Sequence, residues 1–197
     1  MIRSRKELKE YIEADRRRNP IKYPILSALS YSENYLTRHY LTVLRHCEYW
    51  LNVCNSLRDK SLWYKIVGGG KFLLCAFYFI RWRRLCIKTG IQVHPNTCGP
   101  GLVITHHSYV HIDNLTSIGK NCSILPMVLF GKNKKGRILV GDNVHFGCGV
   151  TVLAPCKIGN NVFVGAGAVV TKDIPDNCTV GGVPARIISR FPDNFDV

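Results

Sequence analysis

From Val140 to Val170 an aliphatic or aromatic residue returns at every sixth position: Val140, Phe146, Val152, Ile158, Val164 and Val170. A second series runs in phase four residues later, through Val144, Val150, Cys156, Val162, Ala168 and Ile174, and Ile112, Ile118 and Ile124 keep the same step upstream. This period belongs neither to a helix nor to an alternating strand. It is the repeat of a solenoid in which each unit is one short strand and one turn. The large aliphatic fills the core of a prism and the small residue fits beside it. Glycines that follow the first series, Gly141, Gly147, Gly159 and Gly165, allow tight corners.

The phase breaks once. Between Phe130 and Val140 the step is ten residues, and the four in excess fall in GKNKKGR, residues 131–137. A polar, glycine-bounded insertion in a rigid solenoid projects outward, carrying Lys132, Lys134, Lys135 and Arg137 with it. Before Ile91 the pattern is helical. Residues 4–18 read as a helix capped by Ser4, with Glu7 at the capping-box position. Residues 19–34, with Pro20, Pro24 and several serines, read as a connector. Over residues 34–55 Leu36, Tyr40, Val43, Leu44, Cys47 and Leu51 form one helical stripe. A third helix is expected over Leu62–Thr89, open to interruption at Gly68–Gly70 and ended by Gly90 as C-cap. Its IRWRRLCIK segment sets Arg81, Arg83, Arg84 and Lys88 beside large apolar residues. That suits a packed helix with snorkelling arginines, the preferred reading, or a helix on an anionic membrane surface. The expected organisation is a helical region over 1–90, the repeats over 91–188, where Pro175 and Pro184 mark their end, and a tail over 189–197.

At 197 residues and 46% hydrophobic the chain can bury a sizeable core. Its longest apolar run, Phe72–Ile80, is too short to span a membrane, and its charged start reads as a helix rather than a signal peptide. Nine cysteines with no CxxC pair argue against a disulfide framework or a zinc site. Cys122 and Cys156 fall in the small inward slot, as small hydrophobes. A reducing, cytoplasmic setting is expected, with the inner face of the membrane as the alternative. The net charge of +14 is uneven: residues 1–90 carry 18 Lys and Arg against 7 Asp and Glu, and residues 91–197 carry 9 against 6. The basic flank fits either a solvated helix face or an anionic partner, a membrane surface or a phosphorylated substrate. No recognised motif points to nucleic acid.

The chemistry gathers in ITHHSYVHID. A histidine near neutral pKa is the natural base for deprotonating an alcohol, and His106 and His107 stand together just upstream of the clear repeats. His111 makes three histidines in six residues, but no carboxylate or cysteine accompanies them at ligand spacing, so no metal is expected.

Residues 91–188 resemble the left-handed β-helix acyltransferases, in particular their serine acetyltransferase-like branch. HPNTCGPGLVITHH, the hexapeptide run, the insertion at 131–137 and VTKDIPDNCTVGGVPARII carry the likeness, and EADRRRNP resembles that branch's helical domain. The resemblance implies a mainly β chain with an α-helical N-terminal region, folded as a left-handed parallel β-helix. It implies a homotrimer with active sites between neighbouring prisms and acetyl-CoA as co-substrate, with no permanently bound cofactor. Backbone near Gly147, Gly165, Ala166 and Gly182 would face the pantetheine arm, and Lys172 and Arg186 the phosphates. The catalytic base falls on His106, with direct transfer to the acceptor hydroxyl; His107 is expected outward or behind it. Acceptor contacts fall on Asn19, Gln92, Thr105, His107 and Arg137. Three positions that the family fills with carboxylates are Asn19, Gln92 and Thr105 here, and the histidine after the loop arginine has no counterpart. That loss of acid points to an acceptor without an ammonium group, a sugar of a surface polysaccharide or its precursor. L-serine is the alternative acceptor, and a non-catalytic trimeric scaffold the non-enzymatic one.

Overall fold

The computed structural model describes residues 1–30, 32–58, 69–132 and 136–191. Its helices are α1 (Arg5–Arg18), α2 (Pro24–Leu29), α3 (Glu33–Arg58) and α4 (Gly69–Thr89). The capping box of α1 forms as the sequence predicts: Glu7 N donates to Ser4 Oγ at 3.1 Å, and Ser4 N to Glu7 Oε2 at 2.9 Å. The expected connector contains the short helix α2, which starts on Pro24, where fixed φ and a missing N–H are tolerated. Gly69 and Gly70 are the first two residues of α4. The beginning of the expected third helix, residues 62–68, lies outside the described residues.

From Ile91 the chain winds into three faces. One sheet stacks β1 (Ile91–Val93), β3 (Val110–Ile112), β6 (Leu129–Lys132), β9 (Thr151–Ala154) and β12 (Val169–Val170). A second stacks β4 (Thr116–Ile118), β7 (Ile138–Val140) and β10 (Cys156–Ile158). The third stacks β2 (Val103–Ile104), β5 (Ser123–Ile124), β8 (His145–Phe146), β11 (Val162–Val164), β13 (Cys178–Gly181) and β14 (Arg186–Arg190). All pairings are parallel except β13 with β14, which folds back antiparallel and occupies the end of that sheet. This is the left-handed β-helix of hexapeptide coils that the period predicts. Both six-residue series point inward: Phe146, Val152 and Val164 are fully buried, as are Val150, Val162 and Ala168. One corner is an asparagine ladder. Asn143, Asn161 and Asn177 all adopt positive φ, and Asn143 Nδ2 donates to Asn161 Oδ1 at 3.0 Å, as Asn161 Nδ2 does to Asn177 Oδ1 at 2.8 Å. At Gly141 a Cβ would stand 2.7 Å from Gly159 O, so the stacked corners exclude a side chain there.

β14 runs through Arg190, past the boundary expected at residue 189, and Phe191 N donates to Asn177 O; residues 192–197 lie outside the described residues. The insertion lies between β6 and β7, on the edge where the first sheet turns into the second. Of its basic residues, Lys132 ends β6, Arg137 is exposed, and Lys134 and Lys135 lie outside the described residues.

The helical region is welded to the first coil. One apolar cluster runs from Tyr40, Leu44 and Trp82 through to Val180. A buried ionic knot, not foreseen from the sequence, sits at the junction. Arg45, fully buried, donates to Asp15 Oδ2 at 2.8 Å and Oδ1 at 3.3 Å, to Glu48 Oε2 at 3.0 Å, and to the carbonyls of Cys98 and Gly99 at 2.9 and 2.7 Å. Asp15 Oδ1 also accepts from Gly101 N and Leu102 N. Burial alone would push the guanidinium pKa down; Glu48 and Asp15 reverse this and raise it, so the charge is held.

Candidate active site

Thr105 to Tyr109 form the corner between β2 and β3. Ile104 pairs with Ile124 and His111 with Leu129, so the chain takes seven steps across this corner where the next coil takes five. The two extra residues bow the corner outward. His106 sits there at φ 60°, the left-handed region that non-glycine residues seldom occupy.

What holds it is Glu33, the first residue of α3. His106 Nδ1 lies 3.1 Å from both carboxylate oxygens of Glu33, and His107 N donates to Glu33 Oε1 at 2.8 Å. The hydrogen bond from His106 is the main cause that lowers the Glu33 pKa below its ordinary value, with that from His107 N adding to it. An ionised carboxylate can only accept, so Nδ1 carries the proton and Nε2 of the neutral ring keeps its lone pair. That is the tautomer a general base requires. Of the two alternatives for His107, outward or behind His106, the exposures match the second: the His106 side chain is 65% exposed and that of His107 only 34%. His107 is the inner member, its Nδ1 at 3.7 Å from Glu33 Oε1, beyond hydrogen-bond reach.

Beside this corner lies a polar cleft lined by Arg18, Asn19, Pro20, Asn34, Thr37, Val103, Ile104 and Thr105. Here α1 ends, α3 begins and β2 passes. Asn19 Nδ2 is committed to the carbonyls of Asp15 and Leu102, at 2.7 and 2.9 Å. Arg18 donates to Gly101 O at 2.8 Å and Ser123 Oγ at 3.2 Å, which leaves donors of its guanidinium unused by those bonds. Thr37 is buried and its hydroxyl has no hydrogen-bond partner among the described residues, an arrangement expected where a ligand completes a site.

Below His106 the same edge continues as a ladder of backbone hydrogen bonds between coils. Thr105 N, Leu125 N, Gly147 N and Gly165 N donate in turn to the carbonyls of Ile124, Phe146, Val164 and Val180. At about 4.8 Å per coil Gly165 lies roughly 14 Å from Thr105. A Cβ on Gly147 would stand 2.6 Å from Ala166 N, so that step of the edge admits no side chain. Gly147, Gly165, Ala166 and Gly182 thus fall on or at the end of one edge, and Arg186 is exposed opposite Gly181 at the open end. The edge fits a long, narrow ligand that contacts backbone.

Other expected site residues lie apart in the single chain. Arg137 and Lys172 are exposed on the opposite edge of the first sheet, where it turns into the second. Gln92 faces outward from β1, beside Trp82, Arg83, His94 and His111. Sequence reading missed Glu33, Arg18, Asn34 and Thr37; only the charge of Glu33, the one acid in the connector over residues 19–34, offered a signal. Cysteine nucleophiles find no support in the core: burial pushes the Cys122 thiol up to about 12 and that of Cys156 to about 11. No three His, Cys, Asp or Glu among the described residues are grouped to hold a metal.

Comparison with known proteins agrees with this architecture. The family of bacterial transferase hexapeptide (six repeats) matches residues 137–172. The chain is 38% identical over 109 residues to serine acetyltransferase of Synechococcus elongatus, covering 53% of this chain and 45% of that one. To serine acetyltransferase of Mycobacterium tuberculosis it is 36% identical, over 53% of this chain and 48% of the relative. The chain thus spans about half the length of the curated relatives it matches. Soybean serine acetyltransferase complexed with serine superposes with a TM-score of 0.67 at 26% identity, over 93% of this chain and 70% of that one. In its repeat and in its fold, therefore, the chain is a hexapeptide-repeat protein whose architecture is similar to that of the serine acetyltransferases.

Proposed function

We propose that this chain is an acetyl-CoA-dependent O-acetyltransferase with His106 as general base and L-serine as its acceptor. The carrying observation is the Glu33-held His106, fixed in the base tautomer at the head of a backbone-lined edge. In the reaction His106 Nε2 takes the hydroxyl proton as the acceptor oxygen attacks the thioester carbonyl. Backbone donors stabilise the tetrahedral oxyanion. Collapse breaks the carbon–sulfur bond, and the departing thiolate recovers the proton from His106. No acyl-enzyme forms, consistent with cysteines confined largely to the core. Bound along the edge, acetyl-CoA supplies the activated acyl group; the residues fitted to hold it are Gly147, Gly165, Ala166 and Gly182, with Arg186 toward its phosphates.

The acceptor reading turns on charge. The neutral residues Asn19, Gln92 and Thr105 argue for a sugar, but Glu33 returns a carboxylate beside the base and Arg18 sets a guanidinium in the adjoining cleft. An amino acid zwitterion needs one charge of each sign, and the serine acetyltransferases named above share the fold. The sugar reading keeps one observation in its favour, the amides and hydroxyls of Asn19, Asn34, Thr37 and Thr105 in the cleft. Arg137 and Lys172 share the edge remote from His106, so a neighbouring prism presenting that edge would supply both, and the homotrimer that the resemblance implies would provide such a neighbour. Release of free thiol from acetyl-CoA, with L-serine against a panel of nucleotide sugars and glycans, tests the proposal. Serine turnover that His106→Ala lowers by about 10²–10⁴ at unchanged melting temperature is expected. Sugar-dependent release without serine turnover would replace the acceptor, and no release with any acceptor would leave a scaffold.

A further inference from the structure

Helix α4 is apolar on two faces, and the chain provides a partner for one. Toward α3, Trp82, Cys86 and Thr89 are buried. Trp82 Nε1 donates to the Tyr40 hydroxyl at 3.4 Å, and Tyr78 stacks on His46 with ring centroids 4.8 Å apart. These contacts set the roll of the helix. They turn Leu73, Phe77, Ile80 and Ile87 outward, in steps of four, three and seven, at 75, 52, 52 and 82% exposure. Phe72, Leu74 and Phe79 flank this stripe at 40–42%. A helix apolar all round belongs between two apolar neighbours, and a contiguous exposed apolar patch of this kind marks a surface that meets something.

Charge identifies the occupant. The helix carries Lys71, Arg81, Arg83, Arg84 and Lys88 and no Asp or Glu. Arg84 lies within the apolar stripe and Arg83 beside it, both exposed; Arg81 leans inward to His39 Nε2 at 3.2 Å. A second copy docked two-fold on this face would set Arg83 and Arg84 against the same two cations. A layer of acidic headgroups neutralises them and takes the apolar stripe into its acyl boundary. We infer that the outer face of α4 docks this protein on an anionic lipid bilayer. The helix lies in the plane of the interface, with Leu73, Phe77 and Ile80 at the acyl boundary and Arg83 and Arg84 at the phosphates. It does not cross: no helix among the described residues is long and apolar enough. The α2 residues Ile25, Leu26 and Leu29 are exposed as well, but no cation other than Lys22 accompanies them.

Co-sedimentation of the full chain with vesicles tests this. Phosphatidylcholine vesicles doped with phosphatidylglycerol should bring it down, and vesicles of phosphatidylcholine alone should not. Each basic residue near such a surface is worth roughly fivefold in partitioning, so Arg83→Glu with Arg84→Glu should weaken it roughly 25-fold or more. Leu73→Ser, Phe77→Ser and Ile80→Ser combined should abolish sedimentation at every salt concentration while melting temperature and thiol release stay unchanged. Wild-type protein that remains in the supernatant with acidic vesicles overturns the inference, as does a triple variant that still sediments. An assembly that the triple variant dissociates, with no vesicle binding, would assign the face to a second copy instead.

Discussion

Replacing Glu33 separates a catalytic role from a merely structural one. The Glu33 and His106 side chains are 38% and 65% exposed, so solvent screens the pair and its share of stability is small, about 0.2–1 kcal/mol. That share is fully present above the ordinary carboxylate pKa of 4.5 and is lost as pH falls through the lowered value in the folded chain. The effect on rate is larger, because the carboxylate decides which ring nitrogen holds the proton. A buried carboxylate in such a role is worth about 10⁴ in kcat; this exposed one should be worth about 10–100, or roughly 1.4–2.7 kcal/mol of barrier. The amide of Glu33→Gln can donate to Nδ1 and so hold the proton on Nε2, the wrong tautomer. Glu33→Gln should therefore be slower than Glu33→Ala, and Glu33→Asp should recover part of the rate. The assay is thiol release at saturating acetyl-CoA, with melting temperature as control. Glu33→Gln as fast as Glu33→Ala, or both within twofold of the parent, would refute the tautomer argument.

Arg45→Met strands Asp15 and Glu48 in the interior and should cost about 3–5 kcal/mol, a fall of roughly 6–20 °C in melting temperature; an unchanged calorimetric midpoint would show that the knot does not hold the helices to the first coil. Val152→Asp and Ile158→Asp each place a charge in a fully buried slot, at several kcal/mol or more, and soluble expression with normal melting would contradict the inward phase. If Arg18 holds the carboxylate of an amino acid acceptor, Arg18→Ala should raise the serine KM by about 10–150-fold, the equivalent of about 1.5–3 kcal/mol, with little change in kcat; an unchanged KM would remove Arg18 from the acceptor cleft.

The prism was legible because its signal is local and repeated. Each coil must present the same inward residues to the same narrow core, so Val140 to Ile174 spell the period without any knowledge of distant contacts. The Ser4 capping box and the Gly90 cap are equally local. The histidine corner was legible as a pair of bases, but not as a geometry. The two extra residues at that corner show only when Ile104 and His111 are paired with the next coil, and Glu33 reaches His106 across 73 positions of chain. The same holds for Arg45, which a helical stripe treats as a misplaced charge until Asp15 and the carbonyls of Cys98 and Gly99 close around it. The acceptor reading shifts toward serine for this reason: three neutral residues stand where carboxylates were sought, while Glu33 brings a carboxylate from another element. Periodicity determines what each residue does for its own coil. Which helix supplies the charge beside a given corner depends on how the helices seat on the prism, and only the tertiary structure decides that.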